Sequence, residues 1–452
     1  MSHSETRAAR LLREMRVSLV LALPLVLGQL SSMAMNIIDT LLAGRHGPVT
    51  LAAVGVGSAV WSVVILVSIG VLMAVPPTVA QLNGAGRRAE IGPVFRQALW
   101  LAVILGVGLF FVVRAGALAL EPMGITAEAR PEAIAFLRAI SWGAPALALY
   151  FCLRNLSEGV AWTLPTMVFG LAGLVLLAPL GWALMFAAGL GAAGLGYAVA
   201  ITLCCQCLAL GAYLWHSPRF ADLGLFACFD PPRWAPIRAL LRLGLPMGVS
   251  VFMEGSLFVA TALLIGQLGT TQIAAHQVAI LMASLCFMVP LGVAMATTVR
   301  VGHAVGAGDA SAVRWSAAAG YALAMLAQTL SAVLLVFAGV YLAGLFTEDP
   351  AVIALAALLM AYAAVFQYPD GLQAMSAGAL RGLKDTRVPM FITVLAYWGV
   401  GLPLGYWFGL VKGQGAPGLW TGLILGLSVA ACLLAWRFWR LARRPLAPVR
   451  VT

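Results

Sequence analysis

Twelve apolar runs, each long enough to cross a lipid bilayer, dominate this sequence. A bilayer core about 30 Å thick needs about 20 apolar residues in a helix, because each residue adds about 1.5 Å. Only 10% of the 452 residues are charged, against about a quarter in soluble domains. The chain is therefore predicted to be an all-α membrane protein. The predicted spans are 17–43, 52–80, 93–120, 131–156, 163–189, 192–215, 238–266, 273–302, 313–345, 351–380, 388–410 and 417–440.

Basic residues are distributed unevenly between the two ends of these runs. Of the 27 Lys and Arg residues, all but five lie on the side that holds both termini. Cytoplasmic loops carry the excess of basic residues in membrane proteins, so both termini are predicted to be cytoplasmic. This topology accounts for the net charge of +11, and binding to nucleic acid is not predicted.

The second half of the sequence repeats the first. Pro24 aligns with Pro246 at an offset of 222, and Pro179 aligns with Pro403 at an offset of 224. Matches of proline and glycine at a constant offset indicate a shared backbone shape. Six spans in each half predict two six-helix lobes related by a pseudo-two-fold axis normal to the membrane. The predicted domains are an N-terminal lobe at 1–215, a polar, proline-rich cytoplasmic linker at 216–236 and a C-terminal lobe at 237–452.

Three acidic residues interrupt the apolar runs: Asp39, Glu254 and Asp370. The other 13 of the 16 acids are placed in loops or tails. None of the three aligns with an acid in the other half, so the acids break the symmetry of the repeat. A carboxylate at membrane depth costs several kcal/mol and marks an ion pathway, a relay or a counter-ion site. Asp39, Glu254 and Asp370 are therefore predicted to couple protons or cations to the activity of the protein.

Glu254 and Asp370 are predicted to lie at similar depth, roughly 16–18 Å from the cytoplasmic edge at about 1.5 Å per residue. They form a carboxylate pair if their helices are neighbours. Two buried carboxylates cannot both stay charged without a cation. Either one takes up a proton, or a metal ion such as Na⁺ lies between them, and Pro369 frees a backbone carbonyl beside the pair. Both alternatives stay open.

Enzymatic and ATP-driven functions are not predicted. A phosphate-binding loop of the form GxxxxGK[ST] is missing, because neither of the two lysines follows a glycine. An intramembrane prenyltransferase needs clustered aspartates for Mg²⁺ and diphosphate, but the only adjacent acids, Glu348 and Asp349, fall in an outer loop. No cofactor is expected beyond a coupling ion, H⁺, Na⁺ or both.

Several short stretches of the sequence together form a recognisable pattern. They are Leu23-Pro24, Asp39-Thr40-Leu41-Leu42-Ala43-Gly44, Gln81-Leu82-Asn83-Gly84-Ala85-Gly86, Glu254, Ala274-Ala275-His276-Gln277 and Arg381-Gly382-Leu383-Lys384-Asp385. This pattern resembles the multidrug and toxic compound extrusion transporters, in their bacterial NorM-like branch, and the resemblance covers essentially the whole chain.

The resemblance implies export of cationic drugs in exchange for Na⁺ or H⁺, by alternating access, across a bacterial inner membrane. It also implies that Asp39, Glu254 and Asp370 carry the coupling, and that Asp39, Gln277 and Asp349 contact substrate. Partners are then small organic cations and the lipid bilayer, and the transporter is predicted to act as a monomer. Two alternatives remain, a flippase for a lipid-linked substrate and an ion channel.

One stretch departs from the family pattern. The fifth span reads Leu177-Ala178-Pro179-Leu180-Gly181, where many relatives carry an asparagine on each side of the Pro-Leu pair. Leu177 and Gly181 offer no side-chain oxygen. Na⁺ needs several oxygen ligands, whereas a proton needs one carboxylate. Proton coupling is therefore predicted at Asp39, with any Na⁺ site confined to Glu254 and Asp370.

Overall fold

The structure is a computed structural model that describes residues 6–118, 120 and 127–445. The described residues form α-helices joined by short turns, with two 3₁₀ segments (Arg88–Glu90 and Pro218–Leu223) and three π-helical segments (Ala183–Ala187, Leu395–Gly401 and Trp407–Val411). The α-helices are α1 Arg7–His46, α2 Pro48–Leu72, α3 Val75–Gly84, α4 Ile91–Leu118, α5 Arg130–Ile140, α6 Gly143–Gly159, α7 Leu164–Trp182, α8 Gly191–His216, α9 Trp234–Gly266, α10 Thr270–Gly306, α11 Ala310–Gly344, α12 Pro350–Gly382, α13 Arg387–Val394, α14 Leu402–Tyr406 and α15 Ala416–Ala442.

The prediction of an all-α membrane protein with twelve spans is confirmed. Within the described residues, 11 helical stretches are long and apolar enough to cross a bilayer. A twelfth span is the pair α5 and α6, which meet at a bend of 44°. The bend falls at Ser141 and Trp142, immediately before a helix that carries Pro145 near its start. Proline cannot donate a backbone hydrogen bond, so breaks and kinks gather around it.

The sequence repeat reappears in the backbone. Pro179 and Pro403 each lie four residues before a π-helical segment, and those segments, Ala183–Ala187 and Trp407–Val411, are themselves offset by 224. Glycines with positive φ also recur at the two offsets, as the pairs Gly47 and Gly269, Gly86 and Gly308, Gly189 and Gly413, and Gly191 and Gly415.

The chain divides into two compact units. Among the described residues, the N-terminal unit contains Leu27–Gly248, and the C-terminal unit contains those up to Val26 and those from Val249. The division passes through α1 and α9, whereas the sequence analysis placed its boundaries at the linker 216–236. Polar contacts hold the start of α1 in the C-terminal unit: Arg300 pairs with Glu14 and donates to Ser18.

Close helix contacts hold the start of α9 in the N-terminal unit. A Cβ added at Gly70 of α2 would lie 2.3 Å from the Cα of Gly248. In the C-terminal unit, a Cβ at Gly292 of α10 would lie 2.9 Å from the backbone nitrogen of Val26. Gly70 and Gly292 are offset by 222, and so are Val26 and Gly248. The same helix contact is thus built once in each unit.

We expect Gly70→Val to lower the thermal unfolding midpoint of the purified protein, because backbone lies where the new side chain must go. Overpacking of this kind costs about 3 kcal/mol. Gly55→Val is the matched control, since Gly55 lies on the same helix and a Cβ there meets nothing within 4 Å. Equal unfolding midpoints for the two variants would contradict the close packing of α2 on α9.

Ion pairs and hydrogen bonds hold the segment 216–236 against the start of α4. Arg96 pairs with Asp230 at 2.6 Å, and the indole of Trp100 donates to the Asp230 carbonyl at 2.8 Å. Arg88 forms an ion pair with Asp222 at 2.6 Å, and its hydrogen bonds hold the pKa of Asp222 below its usual range. The predicted linker is therefore an ordered part of the N-terminal unit.

Candidate functional site

Glu254 and Asp370 lie together in the C-terminal unit. Glu254 is half-buried on α9, Asp370 is only 4% exposed on α12, and the two carboxylates are close enough for their charges to interact. Four residues from each acid, Phe258 and Phe366 pack edge to face with ring centroids 6.0 Å apart. This aromatic contact joins α9 to α12. The carboxylate pair expected from the matched depths is present in the structure.

Neighbouring side chains fix Glu254 more firmly than its helix alone. The Gln373 amide, three residues after Asp370 on α12, donates a hydrogen bond to the Glu254 carboxylate. The guanidinium of the half-buried Arg381, also on α12, attracts the same carboxylate and donates its Nε hydrogen to the Ala377 carbonyl at 3.2 Å. α12 thus contributes the Asp370 carboxylate, the Gln373 amide and the Arg381 guanidinium to the site. α9 contributes the Glu254 carboxylate.

Tyr397 is part of this site and was missed by the sequence analysis. It is fully buried in the π-helical segment Leu395–Gly401 and lies within electrostatic range of both Glu254 and Asp370. Its hydroxyl has no hydrogen-bond partner among the described residues. A tyrosine in an apolar run is common in membrane helices and does not by itself indicate a functional role. The π-helical segment that buries Tyr397 has no local sequence signal.

Asp39 lies in the N-terminal unit, on α1. Its Oδ1 is buried and has no hydrogen-bond partner among the described residues. Leu177 is fully buried on α7, and a Cβ at Gly181 would lie 2.7 Å from the Cδ1 of Leu42, three residues after Asp39. The surface that α7 turns towards this part of α1 is therefore apolar and tightly packed. An asparagine at position 181 must displace the Leu42 side chain.

Two of the residues expected to contact substrate, Gln277 and Asp349, are exposed. Gln277 is exposed on α10, whereas its neighbour His276 is buried and accepts a hydrogen bond from the Trp420 indole at 3.2 Å. Asp349 is exposed and caps the start of α12 by accepting from the Ala351 backbone at 2.9 Å. His276 therefore links α10 to α15. Contact of Gln277 or Asp349 with substrate stays a prediction.

A buried ion pair in the N-terminal unit was also missed. Glu158 lies at the end of α6, not in a loop, and it is 1% exposed. Arg154 donates to it at 2.7 Å, Thr166 of α7 donates to the same oxygen at 3.0 Å, and Arg154 reaches Gln29 of α1 at 3.3 Å. The network therefore joins α1, α6 and α7. Its sequence signal is the spacing of an Arg and a Glu four residues apart on one helix.

No group of three or more His, Cys, Asp or Glu side chains is arranged to hold a metal ion in the part of the chain described here. The C-terminal site instead combines two carboxylates with an amide and a phenol. Those oxygen atoms suit a proton or a hard cation such as Na⁺.

Comparison with known proteins agrees with this architecture. The MatE family model matches residues 24–183 and again 246–407, and its two matches start 222 residues apart and end 224 residues apart. Those are the two offsets of the internal repeat.

Relatives are similar along nearly the whole chain. A probable multidrug resistance protein NorM of Xanthomonas axonopodis pv. citri is 53% identical over 96% of both chains. The multidrug resistance protein PmpM of Pseudomonas aeruginosa is 40% identical over 97% of this chain and 94% of its own. The crystal structure of a MATE protein in the straight conformation superposes with a TM-score of 0.88 at 21% identity, covering 98% of this chain and all of that one.

The two matches of the family model, the whole-length relatives and the helical fold agree with the resemblance seen in the sequence. The chain therefore belongs to the MatE family, as a NorM-like multidrug and toxic compound extrusion transporter and not an enzyme.

Proposed function

We propose that this transporter exports organic cations in exchange for H⁺, with a contribution from Na⁺ at the C-terminal site, by alternating access. The observation that carries the proposal is the buried pair of Glu254 and Asp370. A buried carboxylate pair stores one negative charge at most unless a cation joins it. Uptake and loss of that cation give the transport cycle its coupling step. The names of the relatives, which are multidrug resistance proteins, support the same activity.

The two units suit different ions in this proposal. Asp39 has a buried oxygen that no described residue hydrogen-bonds, and the side chains of Leu177 and Gly181 offer no oxygen. A proton satisfies such an oxygen by itself, whereas Na⁺ needs several oxygen ligands. Glu254, Asp370 and the phenol of Tyr397 supply a richer set of oxygens. We therefore assign proton coupling to Asp39 and any Na⁺ effect to the C-terminal unit, and in this proposal the transport cycle requires both Asp39 and the Glu254–Asp370 pair.

Organic cations are the substrate class that the charges favour. Two arginines lie near these sites in the described part of the chain, the buried Arg154 and the half-buried Arg381. Arg154 is paired with Glu158, and Arg381 is attracted to Glu254. A flippase for a lipid-linked phosphate needs cationic groups that are not already neutralised in this way. Gln277 and Asp349 are the further side chains assigned to substrate in this proposal.

The same proposal places the transporter in the bacterial inner membrane as a monomer, with both termini in the cytoplasm. The uneven distribution of the 27 basic residues supports this orientation. An ion channel is the remaining alternative. A channel passes ions without drug and without a fixed exchange ratio, so ion flux into liposomes in the absence of drug distinguishes the two.

Proton release tests the role of Asp39. We expect the detergent-solubilised protein to release protons when ethidium is added, because a bound cation favours the charged form of a buried carboxylate. Asp39→Asn is expected to release fewer protons than the parent. Glu348→Gln, which changes an exposed acid of an outer loop, serves as the control and should behave as the parent. Equal release from Asp39→Asn and the parent would assign the proton to another group.

A further inference from the structure

A surface cavity of about 400 Å³ lies at one end of the N-terminal unit. It forms where the turn between α6 and α7 meets the 3₁₀ segment Pro218–Leu223 that follows α8. Two arginines and one acid, Arg88, Arg219 and Asp222, line it together with Trp162 and apolar side chains. Both arginines are among the basic residues predicted to lie on the cytoplasmic side of the membrane. The cavity is therefore predicted to open towards the cytoplasm.

Trp162 is held firmly in the wall of this cavity. Its indole donates to the Tyr213 hydroxyl at 2.9 Å, its backbone N–H donates to the Ser157 carbonyl at 3.0 Å, and its carbonyl accepts from the Ser157 hydroxyl at 2.6 Å. The preceding residue, Ala161, has a φ of 64°, in the left-handed region that residues other than glycine rarely adopt. Uncommon backbone conformations of this kind are concentrated at binding sites.

The Arg219 guanidinium lies over the Trp162 ring, 3.8 Å from the ring centroid. Arg219 is exposed, and among the described residues none accepts a hydrogen bond from its side chain. An indole attracts the face of a guanidinium and leaves the N–H groups at its edge available. Because Trp162 is itself held in place, Arg219 needs little further ordering to bind an anion.

Arg88 also lines the cavity, but most of its donors are engaged. Its Nε and Nη2 donate to the Asp222 carboxylate at 2.6 and 3.0 Å, Nη2 also donates to the Arg219 carbonyl at 3.1 Å, and Nη1 donates to Asn83 at 2.7 Å. These bonds hold the 3₁₀ segment that carries Arg219. The two arginines and the one acid leave the cavity with one net positive charge, and Arg219 is the group with open donors.

The residues of the cavity break the symmetry of the repeat. Arg88 aligns with Ala310 at the offset of 222, and Trp162 aligns with Thr386 at the offset of 224. Neither counterpart carries a guanidinium or an indole. Packing that the duplicated scaffold requires recurs in both halves, as the close helix contacts do. A group of side chains confined to one half is instead expected of a binding site.

Exposed apolar side chains surround the cavity. Trp215, three residues before Pro218, is exposed near the end of α8, and Leu164, two residues after Trp162, is exposed at the start of α7. Exposed tryptophans are enriched at the boundary between membrane and water. The cavity therefore lies at the level of the lipid headgroups.

We infer that this cavity binds a phosphate group, which accepts hydrogen bonds from Arg219 where that side chain stacks on Trp162. Arginine matches a phosphate because it donates two parallel hydrogen bonds. At this depth the phosphate belongs to an anionic phospholipid, and inorganic phosphate is the other source of the same chemistry. Val160 and Phe220, which also line the cavity, suit the glycerol and first methylenes of a lipid. None of the three acids assigned to ion coupling lines the cavity, so this binding is separate from that coupling.

Native mass spectrometry of the purified, delipidated full-length protein tests this inference. The protein is titrated with dioctanoyl phosphatidylglycerol, and the apparent Kd of the tightest binding event is measured. We expect Arg219→Gln to weaken this binding by about tenfold or more, since a hydrogen bond between charged groups is lost. Asp222→Asn should tighten it by about fivefold, because it removes the negative charge from the cavity and keeps an acceptor for Arg88.

Arg440→Gln is the matched control. Arg440 is exposed, lies over the Trp436 ring at 5.2 Å from its centroid, and is predicted to lie on the same side of the membrane, but it does not line the cavity. Its replacement should leave the Kd unchanged. Equal weakening by Arg219→Gln and Arg440→Gln, or no weakening by either, overturns the inference. Binding would then reflect only the general attraction of an anionic lipid to a basic surface.

Titration with inorganic phosphate distinguishes the two sources of the phosphate group. We expect phosphatidylglycerol to bind at least about tenfold more tightly than inorganic phosphate, because its glycerol and first methylenes also contact the apolar lining. If inorganic phosphate binds as tightly and loses its affinity in Arg219→Gln, the phosphate site stands and its occupant is soluble phosphate. If neither phosphatidylglycerol nor inorganic phosphate binds in a way that depends on Arg219, the cavity is not a phosphate site.

Discussion

Glu254→Gln and Asp370→Asn are each expected to abolish gradient-driven export while leaving the protein folded and expressed. Each variant removes one of two carboxylates that lie together in the C-terminal unit and replaces it with an amide of the same shape. An amide neither takes up a proton in the working pH range nor supplies charge to a cation. The coupling step is then lost, although the apolar packing around it is retained.

Export of ethidium from inverted membrane vesicles measures this prediction. The variants should show less than about a hundredth of the parental gradient-dependent export rate. Loss of a group that takes up and releases a proton commonly lowers a rate by a factor of about 10² or more. Glu348→Gln is the control, because it removes an exposed acid from the loop between α11 and α12. Export by either site variant that still responds to the gradient would show that the pair is not the coupling site.

Arg154→Ala is expected to destabilise the protein by about 3–5 kcal/mol, the cost of breaking a buried ion pair by removing one partner. Arg154 and Glu158 are 6% and 1% exposed, and they contact each other at 2.7 Å. Without the guanidinium, the hydrogen bond from the Thr166 hydroxyl at 3.0 Å remains to Glu158 among the described residues. The remaining carboxylate is then a buried charge without a cation. Gln29 of α1 also loses its partner.

A double-mutant cycle separates the pair from the packing. Arg154→Met with Glu158→Gln removes both charges and keeps most of the volume, so we expect the double variant to be more stable than Arg154→Ala. Thermal unfolding in detergent measures all members of the cycle. Arg87→Met is the matched control, because Arg87 pairs with Glu90 at 2.5 Å where both side chains are exposed, and such pairs contribute about 0–1 kcal/mol. Equal losses for the two arginines would contradict the buried network.

The fold could be predicted because its main determinants are local. Apolar length predicts spans, and proline and glycine at constant offset predict a repeated backbone. The structure shows the repeat down to the π-helical segments that follow Pro179 and Pro403. The division of α1 and of α9 between the two units could not be predicted in this way. It depends on contacts such as that of Arg300 with Glu14, between residues 286 positions apart.

The acidic residues of the candidate site could be predicted from the sequence, but its uncharged residues could not. An acid in an apolar run is conspicuous, so Asp39, Glu254 and Asp370 were identified from the sequence alone. Tyr397 and Gln373 carry no such signal, because tyrosine and glutamine are tolerated in membrane helices and their direction depends on helix rotation. Glu158 was assigned to a loop because the predicted span ended at residue 156, whereas α6 continues to Gly159.

Export from proteoliposomes under separately imposed H⁺ and Na⁺ gradients tests the central claim most directly. We predict that an inward proton gradient alone drives ethidium export, that Asp39→Asn removes this drive, and that any stimulation by Na⁺ requires Glu254 and Asp370. The buried, apolar Leu177 and the packing of Gly181 against Leu42 are the structural reason for expecting H⁺ at Asp39. Export that requires Na⁺ at every pH, and that an imposed proton gradient does not support, would contradict proton coupling.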